Sequence, residues 1–249
     1  MSSVIVVRHG RSTSNTAGTL AGRTPGVLLD ETGEKQARAL GERLAGIELA
    51  AVVCSPLERC RQTAQLALEA AGSSAQVVID ERIAETDYGV WSGRLLSELA
   101  KEPLWTQVQR DPASVQFPDG ETMVGVVERV VEAVEYWNSR LPADAVWLMV
   151  SHGDPINGFL GWALGQPFEK VQRLMVDPAS ASVVHLPAPD ATEAFPRVAC
   201  VNSVAGPLKS FAVIPKPTQA SVGGGVGATG SEDDAPPAES PDVPTADAP

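Results

Sequence analysis

The stretch "VIVVRHGRSTSN", residues Val4 to Asn15, decides the fold. Four β-branched apolar residues, Val4 to Val7, run directly into Arg8, His9 and Gly10. A short β-branched run of this kind reads as a buried strand. A strand holds the arginine and histidine at its end rigidly, and a glycine there lets the backbone come close to a ligand.

Further apolar runs at Ala50–Cys54, Gln76–Ile79, Val146–Val150 and Ser182–Leu186 are expected to be buried strands. Segments of helical period lie between them, which predicts an α/β fold. Ser55-Pro56-Leu57-Glu58 reads as a helix start, with serine as N-cap and proline at the first helical position. Thr32 is expected to cap a helix over Glu34–Ala45, and Asp154-Pro155 to open one through "INGFLGWAL". Glu121–Arg140 is expected to be a longer amphipathic helix with Val124, Val127, Val131 and Val134 on its apolar side.

Composition narrows the class. The chain has 249 residues and 43% hydrophobic content, enough for a substantial core. Its formal charge is −12, but six of the 31 acids and none of the 19 Lys and Arg fall from Thr218 onward. That leaves a mildly acidic body without the basic footprint of a nucleic-acid or anionic-membrane binder. Residues Thr218–Pro249, dominated by Gly, Pro, Ala, Ser and acids, cannot bury enough apolar surface to offset chain entropy and read as a disordered tail behind one domain, 1–217. Three cysteines argue for a reducing compartment. No run approaches the ~18 apolar residues of a membrane span, so a cytoplasmic protein is expected.

Three strand runs end in polar residues: Arg8-His9-Gly10, then Ser55 with Arg59 one turn later, then Ser151-His152-Gly153. In a parallel sheet, ligands bind beyond the carboxyl ends of the strands. Two of the chain's three histidines and two arginines should therefore meet at one edge. Arginine forks match phosphate oxygens, and helix N-termini add backbone donors. Neighbouring cations bias a histidine toward its neutral, nucleophilic form. Attack by His9 on phosphorus would give a phosphohistidine and split hydrolysis in two. The departing alkoxide needs a proton, and "IAETDYGVWSG" offers two donors, Glu85 and Asp87, between which spacing does not choose.

Taken in order, "RHG", Asn15, "SPLERCRQTA" (Ser55–Ala64), "ETDYGVWSG" (Glu85–Gly93) and "SHGDP" (Ser151–Pro155) resemble the histidine phosphatase superfamily, also called phosphoglycerate-mutase-like. The resemblance implies a three-layer αβα sandwich with a mostly parallel central sheet and chemistry without metal or organic cofactor. It implies His9 as the phosphorylated nucleophile, Arg8, Arg59 and His152 around the phosphate, and Glu85 rather than Asp87 as proton donor. Asn15 and Gly153 would add phosphate contacts, and Gly22 in "LAGRTPGVLLDETG" would belong to the substrate-side loop. Glycolytic mutases carry a paired-arginine cluster between the acid and the second histidine. Residues 86 to 151 contain only isolated cations here, which resembles the shorter phosphatase branches, as does "FPDGET" (Phe117–Thr122).

The expected activity is thus hydrolysis of a small phosphorylated metabolite. A phosphomutase of the same mechanism and a phosphoanion-binding scaffold acting through the acidic tail are the alternatives. Specificity is expected from the loops around Gly22, Arg94 and Phe117. His185, inside an apolar run, reads as a sheet histidine, and Trp91 as core or a wall of the substrate pocket. Cys54 and Cys60 are spaced unlike zinc ligands and read as a strand and a helix residue.

Overall fold

The computed structural model describes residues 1–191 and 194–204. The tail expected from Thr218 lies outside the described residues. Six strands form one sheet in the order β3-β2-β4-β1-β5-β6. They are β1 (Ser2–Arg8), β2 (Ala51–Cys54), β3 (Val77–Ile79), β4 (Val146–Ser151), β5 (Ala181–Leu186) and β6 (Arg197–Ser203). Strands β3, β2, β4 and β1 are parallel, whereas β5 runs antiparallel to β1 and β6 antiparallel to β5.

The helices are α1 (Thr13–Ala17), α2 (Glu31–Leu44), α3 (Glu58–Ala71), α4 (Leu96–Leu99), α5 (Pro103–Arg110), α6 (Met123–Arg140) and α7 (Gly153–Ala163). Side chains of β1 alternate between two cores, as the strand period of two requires. Val4 and Val6 pack with Val130 and Val134 of α6 and with Ile156, Phe159 and Leu160 of α7. Ile5 and Val7 pack on the other side with Leu40 and Leu44 of α2 and Cys60, Ala64, Ala67 and Leu68 of α3. The result is the three-layer αβα sandwich. A third cluster, built from Tyr88, Trp91, Leu99, Trp105, Val108, Phe117 and Met123, stands apart beneath the loops between β3 and α6.

Several local expectations are corrected. Asp30, not Thr32, caps α2, its side chain accepting from Gly33 N at 2.8 Å. Helix α3 starts at Glu58 with Leu57 as N-cap, and α7 starts at Gly153 with His152 as N-cap, so Pro56 and Pro155 are not first helical residues. Ser55 Oγ meets His152 at 2.7 Å and accepts from Leu57 N at 3.4 Å, ahead of the helix, while Asp154 accepts from Tyr88. The buried face of α6 is Met123, Val126, Val130, Ala133 and Val134, rotated from the expected stripe and sharing only Val134 with it, because valines stand on both sides of the helix. Strand β3 is not buried: Val77, Val78 and Ile79 are 38%, 42% and 44% exposed, since it pairs only with β2 at the sheet edge. The edge strand β6, whose sequence "RVACVNS" carries the short apolar run Val198–Val201, lies outside the strand runs expected from sequence.

Among the described residues no helix is long and apolar enough to cross a membrane. Phe159 is fully buried between the sheet and α6. Phe159→Ala is expected to cost about 3–5 kcal/mol in chemical denaturation, through lost transfer energy and the cavity left behind.

Candidate active site

Register places the three polar strand ends side by side. Arg8 pairs with Ser151 across β1 and β4, and Cys54 with Val150 across β2 and β4. Beyond the last pairs, His9 N donates to Ser151 O at 3.0 Å and Ser55 N to Val150 O at 3.0 Å. His9, Ser55 and His152 therefore leave the sheet at one level. Gly10 is required because a Cβ there would come within 2.6 Å of Gly33 O, at the start of α2. Its amide donates to Thr63 Oγ1 (3.0 Å), which in turn donates to Arg59 O (2.7 Å), so β1 and α3 are tied together at the site.

His9 is 3% exposed, and its Nδ1 lies 2.7 Å from Gly10 O. A carbonyl only accepts, so Nδ1 carries the proton and Nε2 keeps its lone pair. Arg59 Nε points at that lone pair from 3.3 Å, while Arg59 Nη2 donates to Gly22 O at 2.8 Å. Among the described residues, the buried Nη1 of Arg59 finds no hydrogen-bond partner. Arg8, also buried, donates from Nη1 to Val176 O at 2.7 Å. His152 stands edge-on to His9 with ring centroids 5.2 Å apart. Its Nε2 meets Ser55 Oγ at 2.7 Å and Cys60 Sγ at 3.3 Å, and its Nδ1 lies 4.0 Å from Glu85 Oε2.

Burial first, and then Arg59 and Arg8, push the His9 imidazole well below its ordinary 6.5. His152 is pushed the same way by burial, Arg59, His9, Arg129 and Arg8. Glu85, 3% exposed, is pushed up to about 7 by burial and then by the carboxylate of Asp154, against the pull of Arg59 and Arg8. Its Oε1 accepts from Thr86 N at 3.0 Å. Asp87, the other donor open from spacing, instead accepts from Gly89 N within its own turn. The buried cysteines, Cys54 on β2 and Cys60 on α3, have thiols pushed up, to about 12 for Cys54 and well above 9.0 for Cys60, by desolvation. Among the described residues no group of three or more His, Cys, Asp or Glu is placed to hold a metal ion.

The profile of the histidine phosphatase superfamily (branch 1) matches residues 4–193. The chain belongs to that superfamily. Within it, the chain is 34% identical over 186 residues to a probable phosphoglycerate mutase, GpmB, of Erwinia tasmaniensis, covering 74% of this chain and 85% of the relative. It is 33% identical over 199 residues to phosphoserine phosphatase 1 of Hydrogenobacter thermophilus, covering 75% and 87%. Among solved structures, Bacillus stearothermophilus YhfR shares the fold with a TM-score of 0.74 and 23% identity, covering 82% of this chain and 98% of that one. Relatives of this histidine phosphatase chain thus carry both phosphatase and phosphomutase names.

Other expected site residues fall differently from one another. Gly22, at φ +52°, enters the site through its carbonyl on Arg59. Gly153 is the buried first residue of α7. Asn15 spends its Oδ1 on the capping box of α1, accepting from Ser12 N and Ser12 Oγ. Phe117 is fully buried in the third cluster and Arg94 is paired with Glu102 at 2.6 Å. Trp91 is core, its Nε1 donating to Glu102. His185 is the expected sheet histidine, its Nδ1 2.8 Å from Ser3 Oγ on the neighbouring strand.

Sequence reasoning missed the Tyr88–Asp154 pair, 2.8 Å, and the roles of Arg23, Glu121 and Arg129 around Glu85. Arg23 and Glu121 lie inside stretches that the sequence singled out, but nothing in spacing joins them. In NMR titration, His9 and His152 should both show midpoints below 6.5, so that each withdraws stability as pH falls through that value. A His9 midpoint at or above 6.5 would contradict the geometry.

Proposed function

We propose that the protein is a phosphomonoesterase that hydrolyses a small phosphorylated metabolite through a phosphohistidine on His9. The observation that carries the reading is the buried His9 Nε2, free of its proton and aligned with Arg59 at 3.3 Å. A nucleophilic lone pair beside a buried guanidinium is the arrangement that phosphoryl transfer needs.

In the first step Nε2 forms a bond to phosphorus as the ester P–O bond breaks, and protonated Glu85 gives its proton to the departing alkoxide. In the second, water attacks the phosphohistidine, the P–N bond breaks, Glu85 takes the water's proton, and inorganic phosphate leaves. Arg8 and Arg59 offset charge on the phosphoryl oxygens, and His152, held by Ser55, supports the same group. A carboxyl near 7 suits both halves, as acid and then base. A phosphomutase of the same mechanism is the second reading, raised by the phosphoglycerate mutase relatives. It would transfer phosphate within a sugar acid with little release of inorganic phosphate.

With a generic aryl phosphate, turnover is expected to survive a chelator and to vanish in His9→Ala. Turnover that persists in His9→Ala would overturn the nucleophile assignment. Glu85→Gln should slow an alkyl phosphate by on the order of 10²-fold or more, and 4-nitrophenyl phosphate far less, because nitrophenolate leaves without a proton. For the alkyl substrate, kcat/KM should fall as pH rises through about 7, where Glu85 loses its proton. That limb should be missing in Glu85→Gln.

A further inference from the structure

The backbone around Glu85 is held with unusual completeness. Arg129, 16% exposed on the second turn of α6, donates from Nη1 to Arg82 O (2.6 Å) and Ala84 O (2.8 Å), and from Nη2 to Glu85 O (3.1 Å). Ser151 Oγ takes the remaining carbonyl between them, Ile83 O, at 2.7 Å. Every carbonyl from Arg82 to Glu85 is thereby bonded to a side chain. Glu121 orients the guanidinium: Oε1 and Oε2 accept from Arg129 Nε and Nη2 at 2.9 and 3.0 Å. Glu121 Oε2 also accepts from Asp87 N at 2.9 Å, gripping the chain on the far side of Glu85.

Arg23 closes the arrangement from another loop. Its Nε donates to Glu85 O at 2.8 Å and its Nη2 to Glu121 Oε1 at 2.9 Å. The preceding residue, Gly22, is the one whose carbonyl holds Arg59. Arg59, Gly22, Arg23 and Glu85 thus form one continuous chain of covalent and hydrogen bonds between the phosphate-binding guanidinium and the acid.

We infer that Arg129, Glu121 and Arg23 are positioning residues that set where the Glu85 carboxyl stands relative to a phosphoryl group held by Arg59. The inference rests on the reading of Glu85 as proton donor. A misplacement of about 1 Å at a reacting group costs on the order of 10²-fold. A lysine at 129 keeps the charge but lacks the fork that spans three carbonyls and a carboxylate.

The test compares kcat/KM for an alkyl phosphate and 4-nitrophenyl phosphate in Arg129→Lys, Glu121→Gln, Arg23→Ala and Glu85→Gln. Both substrates are assayed on the same preparation, so the ratio is independent of the folded fraction. Arg23 is 37% exposed, which keeps at least one variant close to native stability. Arg129→Lys is expected to depress the alkyl-to-nitrophenyl ratio by on the order of 10-fold or more, in the same direction as Glu85→Gln. Adding Arg129→Lys to Glu85→Gln should then cause no further change in that ratio. If Glu85→Gln discriminates between the substrates while Arg129→Lys, Glu121→Gln and Arg23→Ala slow both alike, the positioning role is overturned and the acid assignment stands. If Glu85→Gln itself shows no discrimination, the acid assignment fails and the positioning role fails with it.

Discussion

The arrangement at the sheet edge turns on a buried guanidinium aimed at the lone pair of a buried imidazole. Arg59 Nε can face His9 Nε2 at 3.3 Å only while that nitrogen is unprotonated. The carbonyl of Gly10 enforces this by taking the only ring proton on the opposite side. The carbonyl is available because Gly10 has no side chain to strike Gly33 O, and Arg59 is in reach because the β2 and β1 strand ends leave the sheet at one level. Fold, tautomer and charge are consequences of each other here.

Burial acts on the base and the acid in complementary ways. Removing water disfavours whichever form is charged. It therefore strips the proton from His9 and keeps one on Glu85, pushed up to about 7. The neighbouring charges then separate the two: the arginines reinforce the neutral imidazole, whereas Asp154, tied to Tyr88, reinforces the neutral carboxyl. One desolvated setting so favours a neutral imidazole and a neutral carboxyl side by side.

The strand ends were legible because their signal is contiguous: an apolar run followed at once by polar residues, three times over. His9, Arg8 and His152 needed only the rule that parallel strands present their carboxyl ends to a ligand. Helix starts were read less well, since Ser55 and Asp154 have cap-forming side chains that meet tertiary partners. The face of α6 was misread because valines stand on both sides of that helix. The bonds around Glu85 were illegible for a different reason: Arg23, Glu121 and Arg129 are separated by up to 106 positions and meet because the loops carrying Arg23 and Glu85 converge on the start of α6. Strand β6 offers just the short apolar run Val198–Val201, and β3 was misjudged because an apolar strand need not be covered.

The aromatic cluster of Tyr88, Trp91, Trp105 and Phe117 shares no buried member with the two cores that flank the sheet. Tyr88 nevertheless ties it to the candidate site, donating to Asp154 at 2.8 Å. A shift in the packing of this aromatic group would therefore reach Asp154 through that phenol and alter the charge that Glu85 feels.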